Sequence, residues 1–296
     1  MSAATIHVPV LLEEVIEQLR PGPEGVFVDG TLGGGGHTRA LAERVQPGGR
    51  VIAVDLDPLA VERTSATLRG LPIDVAVASY ADVPEILAEL GVSAVDGILL
   101  DLGLSSDQLA DADRGFSFQT DGELDLRFDP TCGESAWQLL ERLREPDIAD
   151  LIFRYGEERF SRRIAKRIVE RRQQAAIRTA AELASLVRSC VPRSRGHAID
   201  PATRTFQALR IAVNDELRSL ETALARLPGF LKSGGRMAVI SFHSLEDRIV
   251  KQAFRDDARL QVITRRPIEA SEAEAARNPS ARSAKLRIAE RLPGSE

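Results

Sequence analysis

Cysteine is scarce in this chain. Its 296 residues carry two, Cys132 and Cys190, with no CxxC pair or Cys/His cluster around either. Neither a disulfide framework nor a zinc site is expected, nor a bound metal of any kind, and the reducing cytoplasm is the compartment this usage fits. Long apolar runs are also missing. No stretch approaches the roughly 20 residues needed to span a bilayer, so no membrane partner is expected. The start, MSAATIHVPVLLEEV, has no basic segment, and Pro9, Glu13 and Glu14 break its short apolar run, unlike a secretory signal. An overall positive charge is lacking too. The net charge of −5 excludes a protein that holds nucleic acid by being basic all over. What remains, 43% hydrophobic and 28% charged residues, suffices for a large core, about two domains at this length.

The charge is unevenly placed. From Arg142 to Arg195 fourteen Arg or Lys face seven Asp or Glu, so a phosphate-binding face would be local to this segment. The 35 arginines beside four lysines partly reflect genome composition and carry no weight alone.

In the first hundred residues strand-like runs alternate with helical patterns, the mark of βαβ units on a parallel sheet. The strands are GVFVDG (25–30), RVIAVDLD (50–57), IDVAVAS (73–79) and AVDGILLDLG (94–103). TRALAERV, PLAVERTSATL and DVPEILAEL between them read as helices, and Asp82 with Glu85 suggests a capping box. After Gly103 the pattern is helical only, to about residue 200, with turn signals at DADRGFSF and around Pro130 and Pro146. Strand character returns at RMAVISF (236–242), after one long helix, TRTFQALRIAVNDELRSLETALARL. Its apolar stripe comprises Phe206, Leu209, Val213, Leu217, Leu220, Leu224 and Leu227. LQVIT (260–264) and AKLRIAE (284–290) close the sheet. An α/β fold follows, a doubly wound sheet built from 1–103 and 201–296 and interrupted by a helical insertion at 104–200.

VDGTLGGGGHT (28–38) ends a strand and opens a helix, where glycines admit a ligand and helix N-terminal amides face it. The dinucleotide pattern G-x-G-x-x-G fails: with Gly33 and Gly35 as its first glycines, the third position is Thr38. Asp29 at the strand end suits the amino-acid end of S-adenosylmethionine (SAM). Asp55, at the end of the second strand, suits a ribose, in SAM and nicotinamide enzymes alike. A plain tight turn at Gly33–Gly36 is the blander reading. Asp57 reads as a helix cap, Tyr80 as an adenine neighbour or a surface aromatic, and His37 as a ligand contact or an ordinary first-turn residue.

The fourth strand brings ILLDLGLSSDQL (98–109) to the same sheet edge, where doubly wound folds place ligands. Asp101 is either a reactive-site acceptor or a loop brace, and Ser105, Ser106 and Gln108 are candidate pocket residues. Methyl transfer from a sulfonium needs alignment and exclusion of water rather than a protein nucleophile. An acceptor bonded to a planar amine's protons favours the nucleophilic form, a role Asp101 suits.

Several strings together resemble the bacterial small-subunit rRNA cytosine-N4 methyltransferase family (RsmH/MraW). They are HVPVLLEEV (7–15), VDGTLGGGGHT, LLDLGLSSDQL, RGFSF (114–118), YGEERFSRRIAKRI (155–168), PATRTFQALRI (201–211), ISFHSLEDRIVK (240–251) and NPSARSAKLRIAER (278–291). The resemblance implies a class I, Rossmann-like SAM-dependent methyltransferase with an inserted helical substrate-recognition domain. It implies SAM contacts from Gly34, Gly35, Gly36, His37, Asp55, Tyr80, Asp101 and Gln108, with 16S ribosomal RNA, within the small subunit, as the partner. A homodimer is compatible with it. Asp200 departs from the histidine that the family usually has before its proline.

Two substrate-facing expectations complete the reading. RFSRRIAKRIVERR (159–172) places Phe160, Ile164 and Ile168 on one stripe and leaves Arg162, Arg163, Lys166 and Arg167 outside it, for phosphates or for solvent. His243 follows the fifth strand, as a substrate contact or a loop residue bonded to Glu246 or Asp247. The rival functions are a nicotinamide-dependent oxidoreductase and a non-catalytic, RNA-binding ribosome-assembly factor.

Overall fold

The computed structural model describes residues 9–118, 121–192 and 200–294. His7 and Val8 of the first quoted string lie outside them. The chain forms two compact units, residues 1–105 with 217–296, and residues 106–216.

The first unit opens with α1 (Leu12–Leu19), β1 (Val26–Asp29), α2 (Gly36–Arg44), β2 (Arg50–Asp55), α3 (Pro58–Thr67), β3 (Ile73–Val77), α4 (Val83–Glu89) and β4 (Val95–Asp101). The second holds α5 (Ser106–Ala110), α6 (Ala136–Arg142), α7 (Glu145–Gly156), α8 (Ser161–Arg172), α9 (Ala180–Cys190) and α10 (Thr203–Asn214). The first then resumes with α11 (Glu216–Arg226), β5 (Leu231–Ser241), α12 (Ser244–Asp256), β6 (Leu260–Val262), α13 (Glu272–Arg277) and β7 (Lys285–Arg291).

The seven strands lie in the order β3-β2-β1-β4-β5-β7-β6. The first five run parallel, and β7 runs antiparallel to both β5 and β6. Parallel strands covered on both faces need apolar residues on both, which is why the central runs read as continuously hydrophobic. Alternate residues part accordingly. Val28, Ile98, Leu100 and Val239 enter one core, with Leu87, Leu224 and Phe254 from the helices above. Phe27, Leu99 and Ile240 enter the other, with Val15 and Leu41 below. Chain order reverses between β1 and β4, so the carboxyl ends of β1, β2 and β4 converge at the switch point where such sheets bind ligands.

Three local expectations are corrected. Asp82 and Glu85 form no capping box: Ser79 caps the short turn at Tyr80–Asp82, and Glu85 pairs with Arg226 instead. The long helix after 200 breaks at Asp215, which takes a left-handed conformation (φ 50°) between α10 and α11. The cause is Asn214, whose Oδ1 accepts from the Phe128 amide at 2.7 Å while its Nδ2 donates to the Leu126 carbonyl at 2.7 Å. The helical unit therefore runs to 216 rather than 200, because α10 packs against α7 inside it.

In that unit α8 also packs on α7 and α9. Its apolar side buries Ile164, Ala165 and Ile168, and Arg172 donates to the Leu140 and Leu143 carbonyls. Thr179 and Glu182 cap α9 reciprocally, satisfying two amides at its start.

Asn214→Ala strips partners from two backbone groups at once, and each such loss costs about 1–3 kcal/mol when water does not replace it. Urea unfolding of this variant is expected to show a loss of about 2 kcal/mol or more. An unchanged midpoint would mean that the 126–128 segment is held by packing alone.

Candidate active site

The loop between β1 and α2 is pinned from three sides. The Gly30 amide donates to the Leu99 carbonyl, the Leu32 amide to the Val54 carbonyl, and Thr64 Oγ1 to the Gly33 carbonyl at 2.7 Å. Gly35 has φ 76°, and a Cβ there would stand 2.4 Å from Thr64 Cγ2, so only glycine fits. With Gly35 as its N-cap, α2 starts without a side-chain cap, which leaves first-turn amides for a ligand. Gly34 and Gly36, half-buried, flank it.

Asp55 ends β2 beside this loop. Its Oδ2 accepts from the Gly33 amide at 2.7 Å and its Oδ1 from the Asp57 amide at 2.9 Å. Each oxygen keeps a further acceptor position, as two vicinal hydroxyls require. Burial raises its pKa to about 6, against the opposing pull of the Asp57 and Gly33 amides. Asp57 is a helix cap, accepting from the Leu59 amide at 3.0 Å. Tyr80 follows β3, its Cβ so near Gly30 that a side chain at Gly30 would collide with it.

Asp29, read from the sequence as suiting the amino-acid end of SAM, is turned into the fold. It is fully buried, and its oxygens accept from Thr38 Oγ1 at 2.6 Å, the Thr31 amide at 3.1 Å and Thr31 Oγ1 at 3.3 Å. Burial raises its pKa, with Thr38 and His37 pulling the other way. Thr31 and Thr38, absent from the sequence-derived set, are its brace. Nothing in the sequence singles them out: they bracket Leu32, four glycines and His37 as ordinary loop hydroxyls.

Asp101, at the end of β4, is tied to the same brace, its amide donating to Thr31 Oγ1 at 2.7 Å. Its Oδ2 lies 3.5 Å from His37 Nε2, while its Oδ1 is buried with no hydrogen-bond partner among the described residues. His37, also buried, is drawn toward its charged form: burial opposes this, but Asp101 and then Asp29 outweigh it. A carboxylate oxygen stripped of water and left unpaired is expensive unless a ligand donates to it.

The other expected residues each have surroundings of their own. His243 is the N-cap of α12, its Nδ1 accepting from the Glu246 amide at 3.4 Å and its Nε2 facing Glu246 Oε1 at 3.1 Å. Gln108 is buried in α5 of the helical unit, so its place in cofactor binding rests on the resemblance alone. Arg162, Arg163 and Lys166 are exposed on α8 and have no ion-pair partner among the described residues. Asp200 is occupied by Arg188, at 2.8 Å, and by the Ala202 amide.

Comparison with known proteins decides the family. A profile of the MraW methylase family matches residues 4–292. The chain belongs to the MraW methylase family. Among curated relatives, the ribosomal RNA small subunit methyltransferase H of Rhodopirellula baltica is 50% identical, with 98% of this chain and 93% of the relative aligned. The protein of that name from Deinococcus radiodurans is 52% identical over 98% and 91%, and that from Trichlorobacter lovleyi 47% over 97% and 98%. As an MraW methylase the protein is a SAM-dependent rRNA methyltransferase of the Rossmann-like α/β class, and the nicotinamide and non-catalytic readings fall.

The donor set fits SAM: a glycine loop under helix amides, the Asp55 acceptor, and an orphaned Asp101 oxygen. If Asp55 takes the SAM ribose, two donating hydroxyls would favour its ionised form. A carboxyl raised from 3.8 to about 6 takes up a proton in the free protein as pH falls through that value. The affinity of this MraW methylase for SAM is therefore expected to be full above pH about 6 and to fall below it, by up to about tenfold per unit. In Asp55→Asn the affinity should be lower throughout, by about 1–3 kcal/mol at neutral pH, and flat across this window. Calorimetric titration measures both. A flat profile for the unaltered protein would remove Asp55 from the ribose site.

Proposed function

We infer that the methyl group goes to the exocyclic N4 amine of a specific cytosine in 16S ribosomal RNA of the small subunit. The carrying observation is the buried, unpartnered Oδ1 of Asp101, at the sheet edge shared with the glycine loop and Asp55. Gly34, Gly35, Gly36 and His37 would hold the amino-acid side of SAM, Asp55 the ribose, and Tyr80 the adenine side. SAM, when bound, supplies a methyl group on a positive sulfur that leaves as a neutral thioether.

A cytosine amine is a poor nucleophile because its lone pair is delocalised into the ring. Asp101 Oδ1, accepting one amine N–H, draws the nitrogen toward the pyramidal form whose lone pair can attack. As the new N–C bond forms the nitrogen becomes cationic, and Asp101 is the adjacent base that receives the surplus proton. His37, 3.5 Å from the other carboxylate oxygen, holds Asp101 in its orientation. Exclusion of water strengthens each of these contacts.

The helical unit supplies the substrate-recognition side. Arg162, Arg163 and Lys166 form an exposed basic face on α8, suited to RNA phosphates. His243 is retained as a substrate contact only in so far as its capping geometry presents it beyond β5. The cytoplasm, where small subunits are made, suits two free cysteines. No helix among the described residues is long and apolar enough to cross a membrane.

Labelled SAM, small subunits lacking the modification, and mass mapping of the product test the reading: label on one cytosine N4 is expected. Label on another base or on ring carbon would overturn it. Asp101→Asn keeps the size and one acceptor but removes the charge. Its single-turnover rate is expected to fall on the order of a hundredfold, the scale of one transition-state hydrogen bond, with a much smaller loss of SAM affinity. Full rescue by saturating SAM would leave Asp101 as a cofactor anchor only.

A further inference from the structure

The helical unit contains a groove that the catalytic chemistry does not use. Between α8 and α9 lies an open cavity of about 570 Å³, and a second of about 220 Å³ adjoins it, both lined by Arg167 and Ser189. One wall is basic. Arg163, Arg167 and Arg171 follow each other at four-residue intervals along α8, about 6 Å apart, comparable to the step between successive phosphates of a nucleic acid strand. Lys166 joins them on the smaller cavity. The facing wall on α9 offers Ser185 and Ser189, both exposed, the Ser189 hydroxyl donating to the Leu186 carbonyl at 2.6 Å and keeping its acceptor capacity, and Ile177 and Leu186 supply an apolar floor.

The two acids near this wall do not close it to an anion. Arg167 meets Glu170 at 3.2 Å and Arg171 meets Glu182 at 3.5 Å, all four side chains being substantially exposed. Exposed pairs of this kind are worth little and exchange readily for a stronger anion. Arg163 and Lys166 have no such partner among the described residues. Two neighbouring cations are committed elsewhere, Arg188 to Asp200 and Arg172 to two backbone carbonyls, while Arg171 gives one nitrogen to the Ala175 carbonyl at 2.7 Å and keeps its other for the groove.

We propose that the α8–α9 groove is the track for a single RNA strand, its phosphates on the Arg163–Arg167–Arg171 line and its sugars against the serine wall and apolar floor. This rests on the reading of the protein as an rRNA methyltransferase and adds the location: the face of α8 turned toward α9 carries this strand, and Arg162, on a different line of the basic face, lies outside the track. Among the described residues no aromatic side chain lines the groove, so the grip is on backbone and sugar rather than on stacked bases. The groove therefore reads strand and charge, not sequence.

Ser185→Glu/Ser189→Glu places two negative charges in the groove at exposed helix positions, and Ser185→Lys/Ser189→Lys places two positive ones. The measurement is the dissociation constant for a protein-free 16S rRNA fragment, taken across a salt series. The glutamate pair is expected to weaken binding roughly tenfold or more and to flatten the salt dependence, and the lysine pair to strengthen binding and steepen it. A folding defect would weaken both, and SAM affinity should change in neither. Arg162→Glu alone should have a much smaller effect than Arg167→Glu. Wild-type affinity in both serine pairs would overturn the groove, and if Arg162→Glu, outside the groove, weakened binding in their place, the rRNA reading would survive without it. Effects seen with whole subunits but not with protein-free RNA would assign the groove to a ribosomal protein and equally overturn the proposal. Binding of the unaltered protein that ignored salt would count against the rRNA reading itself.

Discussion

One hydroxyl holds the reactive edge of this protein together. Thr31 Oγ1 accepts from the Asp101 amide and donates to the buried Asp29 carboxylate, which also takes the hydroxyl of Thr38 in α2. The ends of β1 and β4 and the start of α2 are thus fixed to one another by a fully bonded polar cluster. A buried network of this kind holds its shape only when each member is satisfied, and Asp29, with three donors, is. The glycine loop can then lie close to the sheet, and Asp101 can hold an oxygen without a partner, because neither has to stabilise the turn.

Three strand-end carboxylates follow from that arrangement, each with a different environment. Asp29 is sealed inward and serves the fold. Asp55 keeps acceptor capacity beside the glycine loop, at the price of a raised pKa. Asp101 shares one oxygen with His37 and leaves the other open. The same residue type at the same sheet edge thus yields a buried brace and two carboxylates with open acceptor positions, to which the proposed cofactor and reactive roles are assigned, and only the neighbours distinguish them.

Much of this was legible from the sequence. The apolar runs located every strand, since strands buried on both faces leave little choice of residue, though β5 begins at Leu231, five residues before the run read at 236. The glycine loop, Asp55 and Asp101 stood out because strand-end acids after apolar runs are conspicuous. What was hidden depended on distant partners. Asn214 and Asp215 look like ordinary polar positions in a long helix, until the 126–128 segment bonds to Asn214 and the helix breaks. Asp82 and Glu85 have capping-box spacing, but Arg226 claims Glu85. Asp29 could not be turned inward on paper, because the threonines that hold it are unremarkable in themselves. The pairing of His37 with Asp101 arises only once β4 lies beside β1.

The division of labour between Asp55 and Asp101 is the central claim, and a structure of the protein with S-adenosylhomocysteine and a cytidine-bearing RNA fragment tests it most directly. The account predicts both ribose hydroxyls on the Asp55 carboxylate and the cytosine amine within about 3 Å of Asp101 Oδ1. An amine bonded elsewhere, with Asp101 turned wholly to the cofactor or to His37, would contradict it.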